Sequence, residues 1–153
     1  MNFDLTEEQK DLKEILHKYA TEVLAPRAVE IDKNNRFPTE TIKELAEQDL
    51  MGIAYPEEYG GAGADSVTEA IAVEEIAYGC GATASILTGH YLGFDALYLA
   101  GTPEQKEEYL KPACLGEKLA GFALTEPGSG SDAGASSTIA TEDGDAYVLN
   151  GTK

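Results

Sequence analysis

A chain of 153 residues has the length of one domain and buries about 70% of the surface that its unfolded form exposes. Its 28 Asp and Glu outnumber its 11 Lys and Arg, and the formal charge of −17 repels a phosphate backbone and excludes nucleic-acid binding. At 42% hydrophobic and 25% charged residues it reads as a soluble globular protein, and no apolar run approaches the ~20 residues that cross a bilayer, which excludes membrane insertion.

The chain opens with MNFDLTEEQKDLKE, which has neither the basic-then-apolar order of a signal peptide nor the Arg-rich character of a transit peptide. A cytoplasmic location is expected. Three stretches carry the pairing of a hydroxyl with Glu or Gln that caps helices: TEEQ from Thr6, SVTE from Ser66 and TPEQ from Thr102, the last with Pro103 at the first helical position. The first helix sets Leu12, Ile15, Leu16, Tyr19 and Val23 on one face. Pro26 is read as restarting the chain in a second helix with Ala28, Val29 and Ile31, and FPTETIKELAEQDL as a third that presents Ile42, Leu45 and Leu50 and ends at Gly52.

The segment YPEEYGGAGAD is a loop by its Pro and Gly content, followed by an unusually apolar helix from Val67 to about Tyr78. Another helix or helix pair runs from about Thr83 to Leu99, closed by Gly101, and the TPEQ helix ends near Gly116. Helices joined by short turns predict a bundle over residues 1–117. Cys80 and Cys114 lack the spacing and the His-rich context of a zinc site and read as buried, reduced residues.

From residue 118 the period changes, and KLAGFALTE reads as a strand. The β-branched and aromatic residues around Asp143-Gly144 predict a hairpin. The fold class is therefore mostly α: a helical bundle followed, over 118–153, by the first strands of a β domain. Asn150-Gly151 reads as a further turn whose strand is missing, so a truncated chain or an excised fragment is expected.

Between these strands lies ALTEPGSGSDAGA. Glycines let backbone N–H groups converge on an anion. A phosphate-binding loop of the Lys-Ser/Thr type would need a lysine after its last glycine, and a dinucleotide fingerprint would need a helix start; GSGSDAGASST supplies neither. On these residues alone, a bound anion or cofactor and a plain connecting loop both stay open.

The stretch FALTEPGSGSDAGA resembles the first signature segment of the acyl-CoA dehydrogenase family. LTEEQKDLKEILHKYATEVLAPRAVEID is similar to that family's opening helices, GIAYPEEYGGAGAD to its loop before the central helix, GTPEQKEEYLKPACLGEKL to its last helix before the sheet, and YVLNGTK to the strand that follows. The resemblance covers the whole chain. It implies that residues 118–153 begin a β-barrel-like middle domain, and that the protein is a flavoprotein with FAD between this middle β domain and a helical C-terminal domain, usually tetrameric. It implies an enzyme that oxidises a saturated acyl-CoA to the trans-2-enoyl thioester, with a glutamate taking the α proton, flavin N5 the β hydride, and electron-transfer flavoprotein reoxidising the cofactor. By matching position, Phe122, Leu124 and Thr125 are implied to line the flavin ring, Gly130 and Ser131 to contact flavin phosphate and substrate, and Asp132 to stand at the substrate beside them.

Glu126 is a motif residue to which the family gives no base role, and the usual catalytic glutamate belongs to the C-terminal domain, so the chain by itself is expected to be inactive. His90, in ILTGHYLGFDAL, reads as a packing residue, His17 as a surface residue, and Thr88 and Tyr91 as candidates for setting acyl length; Asp95 departs from a stretch that is usually apolar. The readings weighed beside this one are an acyl-CoA oxidase or flavin monooxygenase cousin, and a non-catalytic acidic helical module.

Overall fold

The computed structural model describes residues 4–153; the first three residues of the opening segment lie outside the described residues. Two compact units divide the chain, Met1–Gly121 and Phe122–Lys153.

The first unit is helical. Helix α1 (Glu7–Tyr19) starts at Thr6, whose hydroxyl accepts the Gln9 N–H at 3.2 Å while the Gln9 side chain accepts the Thr6 N–H at 3.1 Å. It passes through a wide π-helical turn, Ala20–Leu24, into α2 (Ala25–Asn34). Pro26 therefore does not restart the chain. The N–H of Ala25 reaches back five residues to the Ala20 carbonyl, and the widened turn makes room for the proline ring against the carbonyl four residues before it. The same device recurs beyond α6 (Pro103–Gln105): the wide turn Lys106–Leu110 leads into α7 (Lys111–Cys114), the N–H of Lys111 reaches the Lys106 carbonyl, and Pro112 follows. Each wide turn is thus the local answer to one proline.

Helix α3 (Thr39–Glu47) stops before Gly52, and the reversal is made by Asp49 at φ 56°. A short turn, Leu50–Gly52, follows. Helix α4 (Ser66–Gly79) is capped by Asp65 and not by Ser66: the Asp65 carboxylate accepts the Thr68 N–H at 2.8 Å. That carboxylate also takes the Thr68 hydroxyl at 2.6 Å and the Gln9 amide at 3.3 Å, so it outcompetes the neighbouring serine and ties the starts of α1 and α4 together. Helix α5 (Gly81–Ala100) runs unbroken.

The core gathers Leu16, Leu24, Leu45, Met51, Ile76, Leu87 and Leu110. Of the face predicted for α1, Leu16 is buried and Leu12 and Tyr19 are partly so, whereas Ile15 is exposed; Val29 of α2 is exposed too. Cys80 and Cys114 are free and buried, and burial pushes the Cys114 thiol up to about 11. Buried Glu75 on α4 is met from α1 by Lys13 at 3.3 Å and by His17 Nδ1 at 2.7 Å, so His17 is a half-exposed partner of a buried carboxylate and not a plain surface residue. Among the described residues no helix is long and apolar enough to cross a membrane.

In the second unit, β1 (Ile139–Asp143) pairs antiparallel with β2 (Ala146–Asn150) in the register Ile139 to Asn150 and Asp143 to Ala146. The two central residues of the turn are Gly144, at φ 61°, and Asp145. This is the Gly-X form of a two-residue hairpin, one position later than Asp143-Gly144 predicts. The segment predicted as a strand, KLAGFALTE, pairs with no strand among the described residues; only its last residue, Glu126, makes a bridge, to Ser129. A strand exists only where a partner takes its hydrogen bonds.

Candidate functional site

The Thr-Glu-Pro run folds into a tight turn. The Glu126 N–H donates to the Ser129 carbonyl at 2.9 Å and the Ser129 N–H to the Glu126 carbonyl at 3.1 Å. Ser129, 3% exposed, then donates from Oγ to the Asp132 carbonyl at 2.7 Å, and Ser136 Oγ donates to the Ala133 carbonyl at 2.9 Å. Two serine hydroxyls, one buried and one exposed, thereby shape the glycine-rich bend.

Glu126 is the hub. Its Oε2 accepts the Ser137 N–H at 2.6 Å and the Ser137 hydroxyl at 2.8 Å; its Oε1 accepts the Thr138 N–H at 3.1 Å, the Thr138 hydroxyl at 2.5 Å and the Lys153 ammonium at 2.9 Å. These donors, the Thr138 hydroxyl and Ser137 N–H foremost, hold the carboxyl well below the usual carboxylate range. A carboxylate so saturated has no lone pair left for a substrate proton. Glu126 is a structural acceptor that closes the bend onto the start of β1.

Beside this hub Phe122, Ala123, Leu124, Thr125 and Lys153 line an open cleft of about 440 Å³. Phe122 and Leu124 are 48% and 41% exposed. The structure thus brings Phe122, Leu124 and Thr125 together on one wall. Gly130, Ser131 and Asp132 stand apart from that wall, exposed on the bend. At Gly128 and Gly130 the backbone keeps a φ that any residue adopts, and an added Cβ would meet nothing within 4 Å. The unit's own packing does not require glycine there, so the bend suits close approach by something from outside it.

The sequence reading missed Lys153 as part of this wall and Ser129, Ser137 and Thr138 as its framework. A Glu whose carboxylate is met eleven and twelve positions later by a Ser-Thr pair has no sequence signature, and nothing in YVLNGTK assigns its lysine, Lys153, to a distant carboxylate.

In the helical unit His90 is 1% exposed, and its Nδ1 accepts the Ala120 N–H at 3.3 Å. The ring proton therefore sits on Nε2. Burial pushes its pKa down, against the pull of the Met51 and Ala113 carbonyls. At Gly93 an added Cβ would stand 2.6 Å from Ala120 Cβ and 3.0 Å from the Gly121 N, so α5 grips the last residues of this unit closely. Tyr91 is buried with its hydroxyl on the Leu50 carbonyl, and the Thr88 hydroxyl donates to the Ala84 carbonyl at 3.0 Å. Asp95 has a partner that explains its place in an apolar helix: it accepts the Tyr55 hydroxyl at 3.0 Å, the same hydroxyl that donates to the Tyr91 carbonyl at 2.9 Å.

Residues 6–117 match the sequence pattern described as acyl-CoA dehydrogenase, N-terminal domain. The chain is 46% identical over 154 residues to a probable acyl-CoA dehydrogenase of Bacillus subtilis, YngJ, covering all of this chain and 40% of that protein. Its fold is similar to butyryl-CoA dehydrogenase from Megasphaera elsdenii, with a TM-score of 0.86 at 37% identity over 99% of this chain and 41% of the other. An acyl-CoA dehydrogenase from Bacillus anthracis complexed with FAD gives a TM-score of 0.88 at 36% identity, over 97% of this chain and 26% of that one.

Proposed function

Because the chain belongs to the acyl-CoA dehydrogenase family, we propose that it forms the helical N-terminal domain, residues 1–117, and the beginning of the middle β domain, residues 118–153, of an FAD-dependent enzyme that oxidises a saturated acyl-CoA to the trans-2-enoyl thioester. The chain spans about 40% of the length of the Bacillus subtilis relative, and the catalytic base is assigned to a glutamate outside these residues. A cytoplasmic location, an oligomeric assembly and reoxidation by electron-transfer flavoprotein go with this reading. The observation that carries it is the cleft in which Phe122, Leu124 and Thr125 share one wall beside a bend whose glycines answer no need of the protein's own packing.

The residues fit the cofactor. When bound, FAD supplies the acceptor for the hydride that leaves the β carbon. Phe122 and Leu124 offer apolar surface to a flat ring, and Thr125 offers a hydroxyl and a backbone N–H as donors to its polar edge. Donors fixed in backbone need no reorientation as negative charge develops. Gly130 and Ser131 are the residues assigned to phosphate, with Ser131 and Asp132 toward the thioester. The exposed apolar side chains of α4 and α5, among them Val67, Tyr78, Leu92 and Leu99, are surfaces that a further domain or a second copy would cover.

A chimera tests the reading: this chain replaces the matched segment of the Bacillus subtilis relative. The chimera is expected to bind FAD and to reduce a dye acceptor with butyryl-CoA, while the 153-residue chain alone with added FAD shows negligible turnover. A folded chimera without flavin absorbance or dye reduction contradicts the reading, and so does turnover by the chain alone that approaches the relative's.

A further inference from the structure

The cleft beside Phe122–Thr125 has one charged group in its lining, Lys153. Its ammonium donates to Glu126 Oε1 and to the Leu124 carbonyl, both at 2.9 Å. The chain is brought back to this point by a close passage. At Gly151 an added Cβ would stand 2.7 Å from Thr138 Cβ and 2.9 Å from its Cα, so only glycine lets the segment after β2 lie against Thr138. Thr138 in turn gives its N–H and its hydroxyl to Glu126. Gly151, Thr138, Glu126 and Lys153 thus form one closed circuit that ends on the backbone of the cleft wall.

We propose that Lys153 is a positioning residue: by bridging the Glu126 carboxylate and the Leu124 carbonyl, it fixes the plane of the Leu124–Thr125 peptide in the wall of the cleft that takes the ligand. The reason lies in the peptide group. The Leu124 carbonyl oxygen and the Thr125 N–H belong to one planar, trans unit and point in opposite directions. An ammonium that holds the oxygen therefore fixes the direction of the N–H, without touching whatever that N–H binds. Glu126 supplies the counter-charge that keeps the ammonium at this spot, and its own carboxylate is immobilised by the Ser137 and Thr138 donors. Charge-assisted bonds on both sides make the lysine a strut between two backbone segments far apart in sequence.

The inference rests on the cofactor reading of the cleft, and its test separates the two. The 153-residue chain, labelled with ¹³C and ¹⁵N, is compared with Lys153→Met, which keeps the stem and drops the donors, and with Lys153→Arg, which keeps charge and donors. The Leu124 carbonyl ¹³C and Thr125 amide signals are expected to move in the methionine variant and to return toward wild type in the arginine variant, while the amides of Ala146–Asn150 stay in place. FAD affinity, followed by flavin fluorescence, is expected to fall at least tenfold in Lys153→Met and to recover in Lys153→Arg. Unmoved Leu124 and Thr125 signals in Lys153→Met overturn the proposal, as does their movement with FAD affinity unchanged. If the wild-type chain takes up no FAD, the cofactor reading is what fails for this chain, and the NMR signals then decide the strut by themselves: moved and rescued signals support it, unmoved signals refute it.

Discussion

Truncating Leu87 to alanine is expected to lower the stability of the helical unit by about 2–5 kcal/mol. Leu87 lies in the middle of α5 at 0% exposure, within the same cluster as Ile76 and Leu110. Its loss combines the transfer energy of the removed carbons with the cavity left where helices cannot collapse inward. Against a total of about 5–15 kcal/mol for a typical domain, this is a large fraction. Leu99 provides the control: it is on the same helix but 80% exposed, so Leu99→Ala should stay within about 0.5 kcal/mol of wild type. Urea titrations followed by circular dichroism distinguish the two. Equal midpoints for both variants contradict the assignment of the core.

The second large effect concerns Glu126 and acid. Its carboxyl has a lower pKa in the folded protein than its ordinary value of 4.5, so the folded state favours the ionised form. The stabilisation this gives is fully present above pH 4.5 and is lost as pH falls toward the folded value, because the unfolded chain takes up a proton that the folded chain refuses. Below pH 4.5 the protection of the Ser137 and Thr138 amides is expected to fall by about tenfold per pH unit, one proton's worth, after correction for intrinsic exchange. Glu40, held down to about 2 by Arg36, and Glu30, Glu44 and Asp65, lowered by Arg36, Arg27 and Thr68 respectively, titrate in the helical unit over the same acid range. Only a residue-specific probe separates them, and for that reason amide exchange at Ser137 and Thr138 is the measurement. Glu126→Gln should remove that acid dependence and leave both amides poorly protected at neutral pH, since a Gln side chain turns two donors of its own toward donors. Strong protection in Glu126→Gln at pH 7 contradicts the hub role.

How much of this was legible depended on whether a residue's partners were close in sequence. The caps at Thr6 and Thr102 satisfy donors three residues away and could be read directly. The cap of α4 slipped by one residue because Asp65 has a stronger acceptor than Ser66 and a distant partner, Gln9, that no local pattern contains. Pro26 looked like a break because a proline removes a bond, yet one wide turn absorbs the loss and the helix continues. Ile15 falls on the apolar stripe of α1 and is nevertheless exposed, as is Val29 of α2; helix periodicity gives a face but not the extent of its cover.

The candidate site divides the same way. Phe122, Leu124 and Thr125 were named from the motif and do share a cleft wall. The motif could not show that Glu126 is spent on five donors or that Lys153 closes the wall, since those contacts span 11 to 29 positions. The missing strand pairing of the Phe122 segment is the same limit seen from the other side: an apolar, β-prone run says that a strand can form, and only its partner decides whether it does.

The central claim, that the Phe122–Thr125 wall and the bend after it hold a flavin, is tested most directly by a crystal structure of the FAD-bound chimera. The polar edge of the ring is expected within ~3 Å of the Thr125 hydroxyl and N–H, with Phe122 and Leu124 against its face. FAD bound elsewhere, with this wall and the Gly130 bend open to solvent, would contradict it.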